Sequence, residues 1–102
     1  MRIAIDFDGV IMTRRGIPTS KEIWYNNKPV KGALASVKLL LSLGHEVWIF
    51  TSNPEPEIVI RWLERNKFPK LEVTNIKKPC QIIIDDRAIR FTNWQDIRKY
   101  FS

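Results

Sequence analysis

The apolar run Ile3-Ala4-Ile5, ending in Asp6-Phe7-Asp8-Gly9, constrains this chain more than any other feature. Three aliphatic residues in a row suit a buried strand, and side chains two apart on a strand point the same way. Asp6 and Asp8 therefore reach one site beyond the strand's carboxyl end, as long as the chain stays extended there. Gly9 allows a sharp turn and a close approach to a ligand. Two carboxylates about 4 Å apart repel by roughly 4 kcal/mol at an effective dielectric of about 20. A divalent cation removes that penalty, and hard oxygen ligands suit Mg2+. A solvated turn or a helix cap is the plainer reading of Asp-x-Asp-Gly taken alone.

The chain of 102 residues is read as one domain, 1–102, long enough for a modest core. Hydrophobic residues make up 44% of it, with four Trp, which argues for a folded globule rather than disorder. No apolar run approaches the roughly 20 residues of a membrane span. Met1-Arg2 leads directly into the first strand with no signal-type apolar segment. Cys80 is the single cysteine, so an intrachain disulfide and a Cys-rich zinc site are excluded. Together these features predict a cytoplasmic protein with no membrane association. The net charge of +6 favours phosphate-bearing partners, nucleic acid among them, although the basic residues are scattered.

Strands are predicted at Arg2–Phe7, Glu46–Phe50, Leu71–Thr74 and Gln81–Ile84, the last as a buried strand. Helices are predicted at Gly32–Leu43, stopped by Gly44, at Pro54–Asn66 with Asn53 as N-cap, and at Trp94–Phe101. Met12–Lys31 is irregular. Strands alternating with helices imply a three-layer α/β/α, Rossmann-like parallel sheet with helices on both faces. Ligands of such sheets sit beyond the carboxyl ends of the strands. Four groups fall there or beside it: Asp6 and Asp8, then Thr51-Ser52-Asn53, Lys77-Lys78, and Asp85-Asp86.

This ordered set resembles the haloacid dehalogenase superfamily of phosphotransferases over nearly the whole chain. Ile5-Asp6-Phe7-Asp8-Gly9-Val10 looks like its nucleophile motif. Val47-Trp48-Ile49-Phe50-Thr51 looks like the second motif. A lysine before the last strand is the third, and Ile84-Asp85-Asp86 is the acidic fourth. Family spacing selects Lys77 over Lys78, with the adjacent pair leaving the choice open. The resemblance implies a Mg2+-dependent phosphatase acting on phosphate monoesters. Asp6 would be the nucleophile that forms an aspartyl-phosphate, and Asp8 the general acid and base. Thr51 would hold a phosphoryl oxygen, and Lys77 would neutralise charge. Asp6, Asp8 through its backbone carbonyl, Asp85 and Asp86 would hold Mg2+, while Gly9 and Ser52 would line the substrate site. The alternative is a catalytically inactive module of the same fold that binds nucleic acid or protein.

Ile11–Lys31 is too short for a separate cap domain, so the site is expected to be open. An open site suits bulky anions such as nucleic-acid ends, with Arg14 and Arg15 as contacts, unless an oligomeric neighbour covers it. Trp24 and Tyr25 are expected to pack that segment on the core. His45 falls at the wrong end of the sheet for the site, and Cys80 reads as a small buried residue.

Overall fold

The computed structural model describes residues 1–13 and 27–101. Four strands form one parallel sheet in the order β3-β2-β1-β4. They are β1 (Arg2–Asp6), β2 (Glu46–Phe50), β3 (Glu72–Thr74) and β4 (Ile82–Ile84). Helix α1 (Ala33–Ser42) joins β1 to β2, α2 (Pro56–Arg65) joins β2 to β3, and α3 (Trp94–Lys99) follows β4. This is the expected α/β, Rossmann-like parallel sheet.

The helix ends follow local chemistry. At the end of α1 the amides of Gly44 and His45 donate to the carbonyls of Leu41 and Leu40, at 3.0 and 3.2 Å. This is the Schellman closure, and Gly44 takes the left-handed φ of 84° that it requires. Helix α2 starts with Pro56, carries Glu57 in its first turn and Arg65 in its last, and so complements its dipole. Asn53 does not cap it as expected. The Asn53 side chain accepts from the Glu55 amide at 2.8 Å, an Asx turn that shapes the approach to the helix. Helix α3 has a true N-cap: Asn93 accepts from the Asp96 amide at 2.9 Å.

The core lies on one face of the sheet. Ile3, Ile5, Val47 and Ile49 alternate toward it and meet Val37 of α1 and Val59, Trp62 and Leu63 of α2. Both helices lie there because β1→β2 and β2→β3 step the same way along the sheet, and right-handed crossovers then share a face. The step from β3 back past β2 and β1 to β4 runs the opposite way and crosses the other face. It does so as a loop rather than a helix, and Lys78 lies over the Trp48 ring 4.4 Å from its centroid. Arg2 approaches the same ring at 5.2 Å. Among the described residues α3 packs on neither face, so the second helical layer of the expected sandwich is not occupied.

Strand β4 also departs from expectation. It is an edge strand, and Ile82, Ile83 and Ile84 are all exposed rather than buried. Cys80 is likewise partly exposed. No helix among the described residues is long and apolar enough to cross a membrane.

Candidate active site

The segment after β1 is shaped by one buried residue. Phe7 is wholly buried, and its carbonyl accepts from the amides of Ile11 and Met12 at 2.9 and 3.1 Å. The Gly9 amide returns to the Met12 carbonyl at 2.8 Å, with Gly9 at a left-handed φ of 83°. A side chain at Gly9 would be strained in that conformation. From below, the Trp62 ring meets Phe7 edge-on at 5.1 Å, and Trp62 Nε1 donates to the Asn27 carbonyl at 3.0 Å. The helix that fills the core thus fixes the turn between Asp6 and Asp8. Thr13 and Asn27 close the feet of the segment between them, Asn27 Nδ2 donating to the Thr13 carbonyl at 2.9 Å.

Register assembles the acids. Ile5 pairs with Ile84 across β1 and β4, so Asp6 and Asp85, one residue further on, share a level and a face. Asp6, Asp85 and Asp86 each place a carboxylate oxygen within 4.8 Å of the others. The Asp8 side chain stands outside this group. Asp85 also holds its own loop, its Oδ1 accepting from the Arg87 amide at 2.7 Å.

Asp6 is the electrostatic centre. Its Oδ2 is buried with no hydrogen-bond partner. Its pKa is pushed up from 3.8 to about 6, first by desolvation and then by the charges of Asp85, Asp8 and Asp86. A hydrogen bond from the Phe7 backbone pulls the other way. Among the described residues the charges that act on Asp6 are all negative, a surplus of anionic charge that a cation would stabilise.

The remaining expected residues divide. Thr51 is buried at the end of β2, one position beyond the register partner of Asp6. Its amide donates to the Thr74 carbonyl at 3.0 Å and its Oγ1 accepts from the Asn53 amide at 3.2 Å. Ser52 is exposed beside it. Lys78 is committed elsewhere, to Glu72 and the Trp48 ring. Lys77 is exposed on the loop before β4 and forms no ion pair among the described residues. Lys77 does not act on Asp6. Arg14, Arg15, Trp24 and Tyr25 lie outside the described residues. His45 sits at the opposite end of the sheet, its Nδ1 2.9 Å from the Met1 amine, as expected. Sequence reasoning missed the two Asx turns at Asn53 and Asp85, whose signal was an Asn or Asp two residues before an amide to be held.

The fold and the site together define an α/β protein with an acidic cluster at the carboxyl ends of its two adjoining strands β1 and β4. No protein-family model matches the sequence, and no curated protein matches it either. A solved structure, that of a conserved protein from Bacteroides thetaiotaomicron, is similar over 99% of this chain and 88% of its own, with a TM-score of 0.63 and 21% identity. That likeness concerns the fold alone.

Proposed function

We propose that this chain is a Mg2+-dependent phosphatase that hydrolyses phosphate monoesters through an aspartyl-phosphate on Asp6. One observation carries the reading: three carboxylates within 4.8 Å of one another at the carboxyl end of β1 and β4, with Asp6 Oδ2 buried and unpartnered. The donor set fits Mg2+, because oxygens on an octahedral ion at about 2.1 Å lie roughly 3 Å apart when adjacent and roughly 4.2 Å apart when opposite. The carboxylates need to close by no more than an ångström or two. Asp6, Asp85 and Asp86, with the Asp8 carbonyl, would hold the ion. When bound it would offset the clustered negative charge and polarise the phosphoryl oxygens.

The chain's own residues supply the rest. A carboxylate oxygen of Asp6 attacks phosphorus as the bond to the ester oxygen breaks, and Asp8 gives that oxygen its proton. Asp8 then takes a proton from water as the water oxygen attacks phosphorus and the Asp6 carboxylate leaves. Thr51 donates its hydroxyl hydrogen to a phosphoryl oxygen, and Lys77 swings in from solvent to balance charge. Gly9 and Ser52 border the phosphate. The absence of room for a cap domain and the charge of +6 favour extended anions such as phosphorylated nucleic-acid ends, with Arg14 and Arg15 as contacts, in a cytoplasmic setting.

One observation favours the alternative, a binding module that has kept the fold without the chemistry: among the described residues no cationic side chain acts on Asp6. Hydrolysis of an aryl phosphate, measured with Mg2+ and with a chelator, separates the two. The expected result is Mg2+-dependent turnover that Asp6→Asn lowers at least about 100-fold. No turnover by the folded wild type across a panel of aryl, sugar and oligonucleotide phosphates would establish the binding module instead.

A further inference from the structure

Residues 87–101 carry Arg87, Arg90, Arg98 and Lys99 against a single acid, Asp96, a local charge of +3 in a chain of +6. Interleaved with these cations are Phe91, Trp94 and Tyr100, which are 57, 66 and 67% exposed. The rings have no core to enter, since α3 touches no other helix or strand among the described residues. Phe91 and Trp94 meet edge-on with centroids 5.4 Å apart, an arrangement that keeps ring faces open to a further ring. Phe91 stands in the chain between Arg90 and Thr92, which with Asp96, Ile97, Lys99 and Tyr100 line an open cavity of about 450 Å³. The Asp96 carboxylate is already engaged: it accepts from Thr92 Oγ1 and Asn93 Nδ2 at 2.8 and 3.1 Å and from Lys99 Nζ at 3.3 Å. These contacts tie the loop to α3. Arg87, Arg90 and Arg98 are exposed and form no ion pair among the described residues.

We propose that residues 87–101 bind single-stranded nucleic acid, with unpaired bases stacking on the Phe91–Trp94 pair and on Tyr100, and phosphates drawn to Arg87, Arg90 and Arg98. Charge complementarity selects a polyanion, because three guanidinium groups without an acid wait beside the rings. The rings select unpaired bases, since every base offers a face to stack and a duplex keeps those faces covered. A lipid surface fits less well. Helix α3 has six residues, about 9 Å of length, which is too little for the continuous apolar stripe of an interfacial helix. Base faces and phosphates are common to DNA and RNA, so both sugars belong in the test. The surface begins next to the acidic cluster, because Asp85 Oδ1 holds the Arg87 amide at 2.7 Å. Binding here needs neither metal nor turnover, and it stands or falls apart from the reaction proposed above.

The test is fluorescence anisotropy of short labelled oligothymidylate and oligouridylate, titrated with the full chain in the presence of a chelator. A duplex of equal length and vesicles of phosphatidylcholine and phosphatidylserine are measured beside them. The expected result is saturable binding to single strands, tighter than to the duplex and weakening as salt rises. Preference for one of the two sugars would support the proposal and name the source. Trp94→Ala and Phe91→Ala should each weaken binding about 5- to 150-fold, the range of a lost base stack, without changing its salt dependence. Arg90→Ala should instead lower the slope of log affinity against log salt by about 0.7, the share of one phosphate on a single strand. All three positions are exposed, and circular dichroism should match the wild type. If Trp94→Ala fails that criterion, Tyr100→Ala takes its place. Absence of single-strand binding at low salt would overturn the proposal. So would equal binding to the duplex that is indifferent to the ring variants, which is general charge attraction. Vesicle binding lost in Trp94→Ala, with no oligonucleotide bound, would overturn it in favour of a lipid surface.

Discussion

Ile5 and Ile84 are register partners on neighbouring parallel strands, yet Ile5 is 2% exposed and Ile84 38%. Both end an aliphatic triplet and both are followed at once by an acid. The difference comes from position in the sheet. Strand β1 is central and is covered by α1 and α2, whereas β4 is an edge strand among the described residues, and its following helix touches no other helix or strand there. The candidate site straddles this boundary. Asp6 and Thr51 stand on the packed side, and Asp85 and Asp86 stand on the exposed side. The packed half presents a half-buried carboxylate with an orphaned oxygen, while the exposed half presents two solvent-facing carboxylates at the end of an edge strand. Binding energy at the site is therefore expected to act mainly on the β4 half.

The sharpest test of this contrast compares one tryptophan from each side. Trp62 is 1% exposed, packs on Phe7 and Phe68, and hydrogen-bonds Asn27. Trp62→Ala should cost about 3–5 kcal/mol in chemical denaturation, enough to unfold a marginal domain. Trp94→Ala should change the stability by no more than about 0.5 kcal/mol. Equal losses would mean that α3 belongs to the core.

Hydrogen exchange examines the same boundary at intermediate size. Amides of β1 and β2 should be protected far more strongly than those of β4 and the Asp85–Arg87 turn. Millimolar Mg2+ should raise the melting temperature and slow exchange at Asp85–Arg87 more than in β2, because the proposed ion would tie the exposed carboxylates to Asp6. Asp6→Asn should remove both effects. Uniform protection in metal-free protein would erase the distinction between the halves.

The smallest effect concerns proton binding at Asp6. Its pKa is about 6 in the fold and 3.8 in an open chain. The folded state therefore holds the proton more tightly, so this group's contribution is full below 3.8 and is lost as pH rises through about 6. Asp6 is partly solvated, which discounts the change to on the order of 1 kcal/mol, or about 4–8 °C in Tm for a domain of up to 100 residues. Metal-free Asp6→Asn should lack this decline and melt higher than wild type near neutral pH. A wild-type Tm that rises through this window would mean that Asp6 is paired with a cation in solution.

Much of this was legible in the sequence. The alternating elements were readable because each carries its own period and its own punctuation: Gly44 after α1, Pro56 at the start of α2, Asn93 before α3. The acids were readable because Asp6 and Asp85 each follow an aliphatic run, with Asp8 and Asp86 close behind, where a parallel sheet places ligand-facing residues. Tertiary structure alone decided the rest. Pairing of Ile5 with Ile84 sets Asp6 beside Asp85, and no local signal encodes a register between residues so far apart in the chain. Lys77 and Lys78 were degenerate in the sequence, and only the folded chain shows that Lys78 meets Glu72 and the Trp48 ring across the sheet. The exposure of Ile82-Ile83-Ile84 was invisible too, since three isoleucines read alike in a central strand and at an edge, and burial depends on which elements come to lie against them.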